Sequence, residues 1–284
     1  VASRRIAVLS DVHGFLTALK AVLADVDTLG IFEIAVAGDI VNFGPSSPEV
    51  VDLLRDRGAQ MIRGNHEIEL VVPYGTPDAP PALMHGPRFA GARWTNERLG
   101  QERRAFVSGL PDRLMLDERT VVCHGSPRGV RDGVRPDHTG DELRAKFGDD
   151  PAVLAFVGHI HQPHIREVPP LPGSNQPVRR FVNAGSVGMN LDGDPRSSYV
   201  LAEQDSSDAP GEWRTEIRRL FYDTDAAVRE YDNGMRDACP EFVEAFTRQV
   251  RTGRQYFGPW VRQASGLPDD ALLPSLRRFL AENP

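Results

Sequence analysis

Short apolar runs alternate with amphipathic stretches near the start of the chain: Ile6 to Leu9, Phe15 to Val26, Ile34 to Ala37, Val50 to Leu54 and Gln60 to Ile62. That rhythm predicts βαβαβ. Further strands are predicted from Thr120 to Cys123 and from Val153 to Val157. A hairpin is predicted to pair His164–Val168 with Val178–Asn183 across a loop rich in Pro, Gly and Asn. Tyr199–Glu203 and Glu212–Phe221 read as another strand pair, so the class is α/β with a mixed sheet. Val72 to Pro87 carries Pro73, Pro77, Pro80, Pro81 and Pro87, which predicts a long surface loop in place of a helix or central strand. After Tyr222 the period becomes helical, with Phe242, Phe246 and Val250 on one face and Leu272, Leu276, Phe279 and Leu280 on another. These helices are expected to pack on the α/β part.

The 284 residues, 40% of them hydrophobic, suffice for one sizeable core or two small ones. Net charge is -7, and the mostly arginine basic residues form no long or aromatic-flanked run, which disfavours a long nucleic acid as partner. With no apolar stretch of about 18 residues and no signal-peptide pattern at the start, a soluble cytoplasmic protein without membrane attachment is expected. Cys123 and Cys239 lack the spacing of a disulfide framework or thiolate zinc site, and Cys123, in an apolar run, reads as core.

Nearly every predicted strand ends in metal-binding side chains: Asp11 and His13, then Asp39, then Asn65 and His66, then His124, then His159 and His161. Ligands of α/β sheets bind at that carboxyl rim. In Asp11-Val12-His13 and His159-Ile160-His161 an extended chain points residues i and i+2 to one side. Glycines precede Asp39, Asn65 and His159 and follow His13 and His124, which suits a chain turning sharply beside bulky ligands. Taken singly, a strand-end Asp is more often a cap or turn residue and a lone His a satisfied surface or core residue. Five of the eight histidines at strand ends beside glycines is not an accidental arrangement. One cation takes about four to six ligands. The donors here exceed that, and two ions sharing a carboxylate account for them.

These residues resemble the calcineurin-like metallophosphoesterase superfamily. Its motif series is matched in order by Asp11-Val12-His13, Gly38-Asp39, Gly64-Asn65-His66-Glu67, His124-Gly125 and Gly158-His159-Ile160-His161. The bacterial and archaeal phosphodiesterase branch is similar also in Phe43-Gly44-Pro45, His124-Gly125-Ser126-Pro127, Asn183-Ala184-Gly185-Ser186-Val187-Gly188, Asp192-Gly193-Asp194-Pro195-Arg196 and Tyr199. The likeness extends to about Leu220. It implies a four-layer αββα sandwich of two mixed sheets, with residues 1–222 as the catalytic domain and 223–284 as a helical C-terminal extension.

The resemblance also implies roles. Asp11, His13, Asp39 and His161 would hold one metal, and Asp39, Asn65, His124 and His159 the second, with Asp39 as the bridge. His66 would be the general acid for the leaving group, catalytic and not a ligand. The reaction implied is hydrolysis of a small phosphate ester or diester, such as a cyclic nucleotide, by a metal-bridging hydroxide. Mixed imidazole and carboxylate sites take Mn, Fe, Zn, Co or Ni, with Mn or Fe favoured here.

Arg63 and Arg128 flank the ligand strands and could neutralise phosphate, surface solvation being the competing reading. Asn42 and Ser186 lie in motif-like loops where turn chemistry competes with substrate contact. Glu67 could orient His66, but its place in the first turn of a helix favours a dipole role. His85, His138 and His164 match no motif. Protein Ser/Thr phosphatases share Gly-Asn-His-Glu, but their Asp-Arg-Gly after the Gly-Asp element is absent from Gly38-Asp39-Ile40-Val41-Asn42-Phe43-Gly44. Dinucleoside polyphosphate cleavage stands beside that alternative. A non-catalytic scaffold, like the retromer subunit of this superfamily, is expected to have lost a ligand or the acid, and none is lost here. The C-terminal apolar stripes could also serve as a homo-oligomer contact.

Overall fold

A computed structural model describes residues 3–171 and 173–284. Its strands form two five-stranded mixed sheets. In the first, β1 (Arg4–Leu9), β2 (Glu33–Val36) and β3 (Gln60–Met61) run parallel, and β9 (Ser197–Gln204) and β10 (Arg214–Leu220) extend the sheet antiparallel beyond β1. In the second, β5 (Thr120–Cys123), β6 (Leu154–Val157) and β8 (Arg179–Asn183) run parallel, flanked by antiparallel β4 (Arg113–Asp117) and β7 (His164–Val168).

Strand alternation assigns the layers. Ile6 and Val8 of β1, Ala35 of β2 and Ile62 pack against Val122, Phe156 and Val182 of the second sheet, so the sheets lie face to face. Ala7, Leu9 and Val36 point the other way, into a core shared with α1 (Leu16–Thr28), α2 (Ser47–Asp56) and the C-terminal helices. Val121, Ala155 and Phe181 meet α5 (Gly140–Phe147) on the outer face of the second sheet. The result is the four-layer αββα sandwich of two mixed sheets.

The paired strands His164–Val168 and Arg179–Asn183, and the pair β9 and β10, lie where the alternation places them. Two departures have physical causes. Within Val72 to Pro87, α3 (Pro81–His85) is a one-turn helix, because Pro81 sits at the helix start, where its missing N–H has no intrahelical partner to lose. The long α4 (Ala90–Ser108), broken at Gly100 (φ 69°), has too weak an apolar stripe to announce itself.

Past β10 the chain forms α6 (Thr224–Arg229), α7 (Met235–Ala238), α8 (Pro240–Thr252), α9 (Phe257–Gln263) and α10 (Asp269–Glu282). Phe242, Phe246 and Val250 of α8 and Leu276 and Leu280 of α10 are buried in the same core as β1 and α1. The apolar stripes are thus covered within the chain. Cys123 and Cys239 are buried free thiols, with burial pushing both upward and away from nucleophilic character. Among the described residues no helix is long and apolar enough to cross a membrane.

Candidate metal centre

The parallel strands of both sheets end at one rim, so β1, β2, β3, β5 and β6 deliver Asp11 and His13, Asp39, Asn65 and His66, His124, and His159 and His161 to a common site. Every non-glycine residue with positive φ among the described residues belongs to this rim: Asp11, His13, Asp39, Asn42, Phe43, His159 and His161. Left-handed backbone is costly for such residues and persists where the surroundings impose it, as at functional sites. Two glycines make the approach feasible. A Cβ on Gly64 would collide with the Asp39 carboxylate, and one on Gly158 with Ser10 and the Asp11 carboxylate.

The side chains are arranged to leave lone pairs free. His13 Nδ1 faces Val41 O at 3.3 Å, His124 Nδ1 faces Ala37 O at 2.7 Å and His161 Nδ1 faces Met189 O at 2.6 Å. An imidazole that donates its Nδ1 proton to a carbonyl presents a bare Nε2, the orientation of metal-ligating histidines. The bare nitrogens converge: His13 Nε2 and His161 Nε2 are 3.1 Å apart, and His124 Nε2 is 3.1 Å from Asn65 Oδ1.

Each carboxylate is split in the same sense. Asp11 Oδ2 accepts from Ser10 Oγ at 2.6 Å and from His159 N at 2.9 Å, whereas the fully buried Oδ1 has no hydrogen bond and lies 3.0 Å from His161 Nε2. Asp39 Oδ1 accepts from His66 N at 2.8 Å. Its Oδ2 lies 3.2 Å from His124 Nε2 and 3.7 Å from His13 Nε2, between the two groups of donors. Asp11, His13 and His161 form one compact group and Asp39, His124 and His159 another. Converging acceptors with an orphaned buried carboxylate oxygen fit divalent cations, and the two groups fit a dinuclear centre.

The electrostatics agree. Burial alone would lower the His124 pKa, yet the Asp39 and Asp11 carboxylates outweigh it and push the imidazole up to about 10, favouring positive charge at Nε2, where a bound cation would take the place of the proton. Burial would raise Asp11 and Asp39, but the surrounding imidazoles hold both well below the usual carboxylate range. The rim therefore stabilises positive charge between fixed carboxylates. Burial takes His66 down to about 3 against the pull of Asp39, which favours neutral imidazole.

His66 stands apart from the other histidines. Its Nδ1 accepts from Asn42 Nδ2 at 2.9 Å, and its Nε2 is 3.9 Å from Asp39 Oδ2. Although His13, Asp39 and His66 also lie close enough to share an ion, Asn42 turns a proton-bearing Nε2 toward the site. Glu67 takes neither role considered from sequence. Fully buried, its carboxylate accepts from the N–H groups of Asp39, Ile40, Val41 and Gly64 at 2.9, 2.8, 3.1 and 2.7 Å, tying the Asp39 loop to the Asn65 loop.

The cavity above the rim has a volume of ≈ 830 Å³ and is lined by Asp39, His66, His159 and His161 on one side and Phe257 and Arg262 on the other. Arg63 and Arg128 do not line it. Arg63 is held by Asp112 and Ser108 O, and with Arg128 it borders a separate recess behind His124. Ser186 is fully buried, donating to Asp11 O at 2.6 Å and accepting from Met189 N at 2.7 Å, so it shapes the Asp11 loop and has no face toward a substrate. The arginines that do reach the cavity are Arg131, Arg135 and Arg262. They lie outside the motifs, and Arg262 is far along the chain from Arg131 and Arg135, so no motif marks them.

A family model described as the calcineurin-like phosphoesterase superfamily domain matches residues 5–207. A protein of Methanocaldococcus jannaschii, described as uncharacterized, is 28% identical over 257 residues, covering 84% of this chain and 95% of its own length. The crystal structure of a metallophosphoesterase from Sphaerobacter thermophilus superposes with a TM-score of 0.69 at 27% identity, covering 89% of this chain and 100% of that one. A symmetrical bis(5'-nucleosyl)-tetraphosphatase from Pectobacterium carotovorum is 39% identical over 74 residues, 23% of this chain and 25% of its own.

Proposed function

Because the chain belongs to the calcineurin-like phosphoesterase superfamily, we propose that it is a two-metal phosphoester hydrolase acting preferentially on small phosphodiesters such as cyclic nucleotides. The observation that carries this reading is Asp39 Oδ2, which lies between the His13 and His124 imidazoles with its partner oxygen fixed by His66 N. Asp11, His13, Asp39 and His161 would hold one cation and Asp39, Asn65, His124 and His159 the other, with Mn or Fe as the favoured metals. Two such ions supply a nucleophile at neutral pH and charge neutralisation at the phosphoryl oxygens.

The chain's own residues do the rest. His66 presents Nε2–H toward the site and, as a neutral ring, donates a hydrogen bond that stabilises the leaving oxygen, while Asn42 holds the tautomer. Arg131 and Arg135 stand at the cavity wall paired with Glu69 and Asp137, and would reach the phosphate oxygens by exchanging those carboxylates for the substrate. The C-terminal helices supply one wall of the cavity through Gln249, Phe257 and Arg262.

Dinucleoside polyphosphate hydrolysis is a second reading, supported by the 74-residue match to the tetraphosphatase. Turnover of bis-p-nitrophenyl phosphate, p-nitrophenyl phosphate and diadenosine tetraphosphate tests the preference. A diester rate above both others is expected, and faster cleavage of the tetraphosphate would replace the first reading with the second.

A further inference from the structure

A second recess, of ≈ 270 Å³, opens beside the metal-centre cavity, and His66, Asn65, Phe43, Arg131 and Phe257 line both. Its floor is aromatic. The Phe43 ring meets His66 edge-on at 4.5 Å between centroids and Phe246 of α8 at 4.7 Å, and Phe257 of α9 lies 5.5 Å from Phe246. Phe89, Phe242, Leu70 and Asn42 also line it, as do the charged Arg88, Arg131 and Glu69, of which Arg131 pairs with Glu69.

Phe43 is held where it is against local preference. Its φ of 70° is an outlier for a bulky side chain, and the fold imposes it: Tyr231 Oη donates to Phe43 O at 3.0 Å and Asn233 Nδ2 to Pro45 O at 2.9 Å. The C-terminal extension thus both supplies Phe246 and Phe257 and fixes Phe43 between them and His66. Backbone strain that aims a phenyl ring at a proton donor is not what a purely structural core needs.

We propose that this recess is the leaving-group site, and that it takes a planar aromatic ring, such as a phenyl group, carried on the ester oxygen that faces His66. The proposal rests on the hydrolase reading above. In hydrolysis the P–O bond to the leaving group breaks and the oxygen of water becomes the new phosphoryl oxygen. The leaving oxygen accepts a hydrogen bond from Nε2–H of His66 as its negative charge develops, and the proton released by water ends on that oxygen. A group leaving on the His66 side enters the recess. Its volume lies below the ~300–1,000 Å³ of sites for drug-sized ligands, which suits one ring system. Offset and edge-on phenyl contacts reward a flat ring more than an alkyl chain.

The test compares phenyl phosphate with propyl phosphate for the metal-loaded full chain and its Phe257→Leu and Phe257→Tyr variants. Phe257→Leu is expected to lower kcat/KM for the phenyl ester about three- to tenfold, through KM, and to change the propyl ester less than about twofold. Phe257→Tyr, which keeps the ring, is expected to retain the phenyl preference. Equal loss on both esters, or none on either, overturns the proposal. Saturation-transfer NMR with phenol and propanol supplies a readout without turnover: transfer to phenol is expected in the full chain and lost in Phe257→Leu. If the full chain hydrolyses neither these monoesters nor bis-p-nitrophenyl phosphate, the hydrolase reading falls, and the NMR arm still decides the recess, since undiminished phenol transfer in Phe257→Leu contradicts it.

Discussion

Asn42 Nδ2 donates to His66 Nδ1 at 2.9 Å, and this one hydrogen bond separates His66 from the histidines whose Nδ1 atoms face backbone carbonyls. A histidine so held carries its remaining proton on Nε2, toward Asp39 and the rim. His66→Ala is predicted to lower kcat about 10²- to 10⁴-fold on an alkyl ester, and much less on a nitrophenyl ester, whose leaving group needs no proton. Asn42→Ala should show a weaker form of the same pattern with metal content unchanged. Near-normal turnover of a poor leaving group by metal-loaded His66→Ala contradicts the role.

Glu67 joins two ligand loops through four backbone N–H groups. A glutamine puts an amide N–H where an acceptor is needed, leaving buried donors unsatisfied at about 1–3 kcal/mol each. Glu67→Gln is therefore predicted to lower stability by roughly 3 kcal/mol in urea unfolding and to weaken metal binding, although Glu67 is not a proposed ligand. Unchanged stability and unchanged metal affinity would sink that account.

How legible these features were in the sequence depended on distance along the chain. The clusters Asp11-Val12-His13, Gly64-Asn65-His66 and Gly158-His159-Ile160-His161 are local in sequence and visible before any fold is known, but the expected extended chain is not what joins their donors: Asp11, His13, His159 and His161 lie past the strand ends in left-handed backbone. The helix stripes of α8 and α10 were visible for the same reason. The α5 helix carries a legible start, Thr139 capping Glu142 N with Glu142 reaching back, but its short apolar face escaped notice. The edge strand β4 has too few apolar positions to stand out, with Arg113 and Met115 exposed. Phe43, Phe246 and Phe257 meet only through tertiary packing, as do Arg131 and the rim, and Ser186 looked like a binding residue because a motif says nothing of burial. Glu67 looked like a helix-start carboxylate because its four partners are backbone groups, which have no residue identity to read.

The C-terminal helices grip the rim. Glu230 accepts from Thr17 N at 3.1 Å and from Ser46 Oγ at 2.9 Å, while Tyr231, Phe242, Phe246 and Trp260 are buried in the shared core. Each such side chain contributes about 1.5–3 kcal/mol by burial. A chain truncated after Tyr222 is predicted to lose solubility and to bind a hydrophobic dye. A soluble, cooperatively unfolding truncation with full metal affinity contradicts this, and gel filtration with dye fluorescence distinguishes the outcomes.

Asp25 of α1 accepts from Tyr199 Oη at 2.6 Å and from Arg218 Nε at 2.8 Å, fastening the helix to β9 and β10. Burial would raise its pKa, but the hydrogen bonds from Arg218 and Tyr199 outweigh that and lower it from 3.8. A depressed carboxylate contributes stability that is fully present above its unfolded pKa and lost as pH falls through the folded value. Asp25→Asn is predicted to cost about 1–2 kcal/mol at neutral pH, with the difference shrinking below about pH 4. A difference independent of pH contradicts the ionic origin.

The central claim is that Asp39 joins two metal ions in one hydrolytic centre. The direct measurement is metal stoichiometry and bis-p-nitrophenyl phosphate hydrolysis on stripped protein titrated separately with Mn, Fe(II), Ni and Zn, for the full chain and Asp39→Asn. Two ions per chain with metal-dependent turnover are predicted, and Asp39→Asn should bind the second ion weakly and lose activity by at least about 10²-fold. Two ions bound without turnover under any metal, or full activity in Asp39→Asn, contradicts the claim.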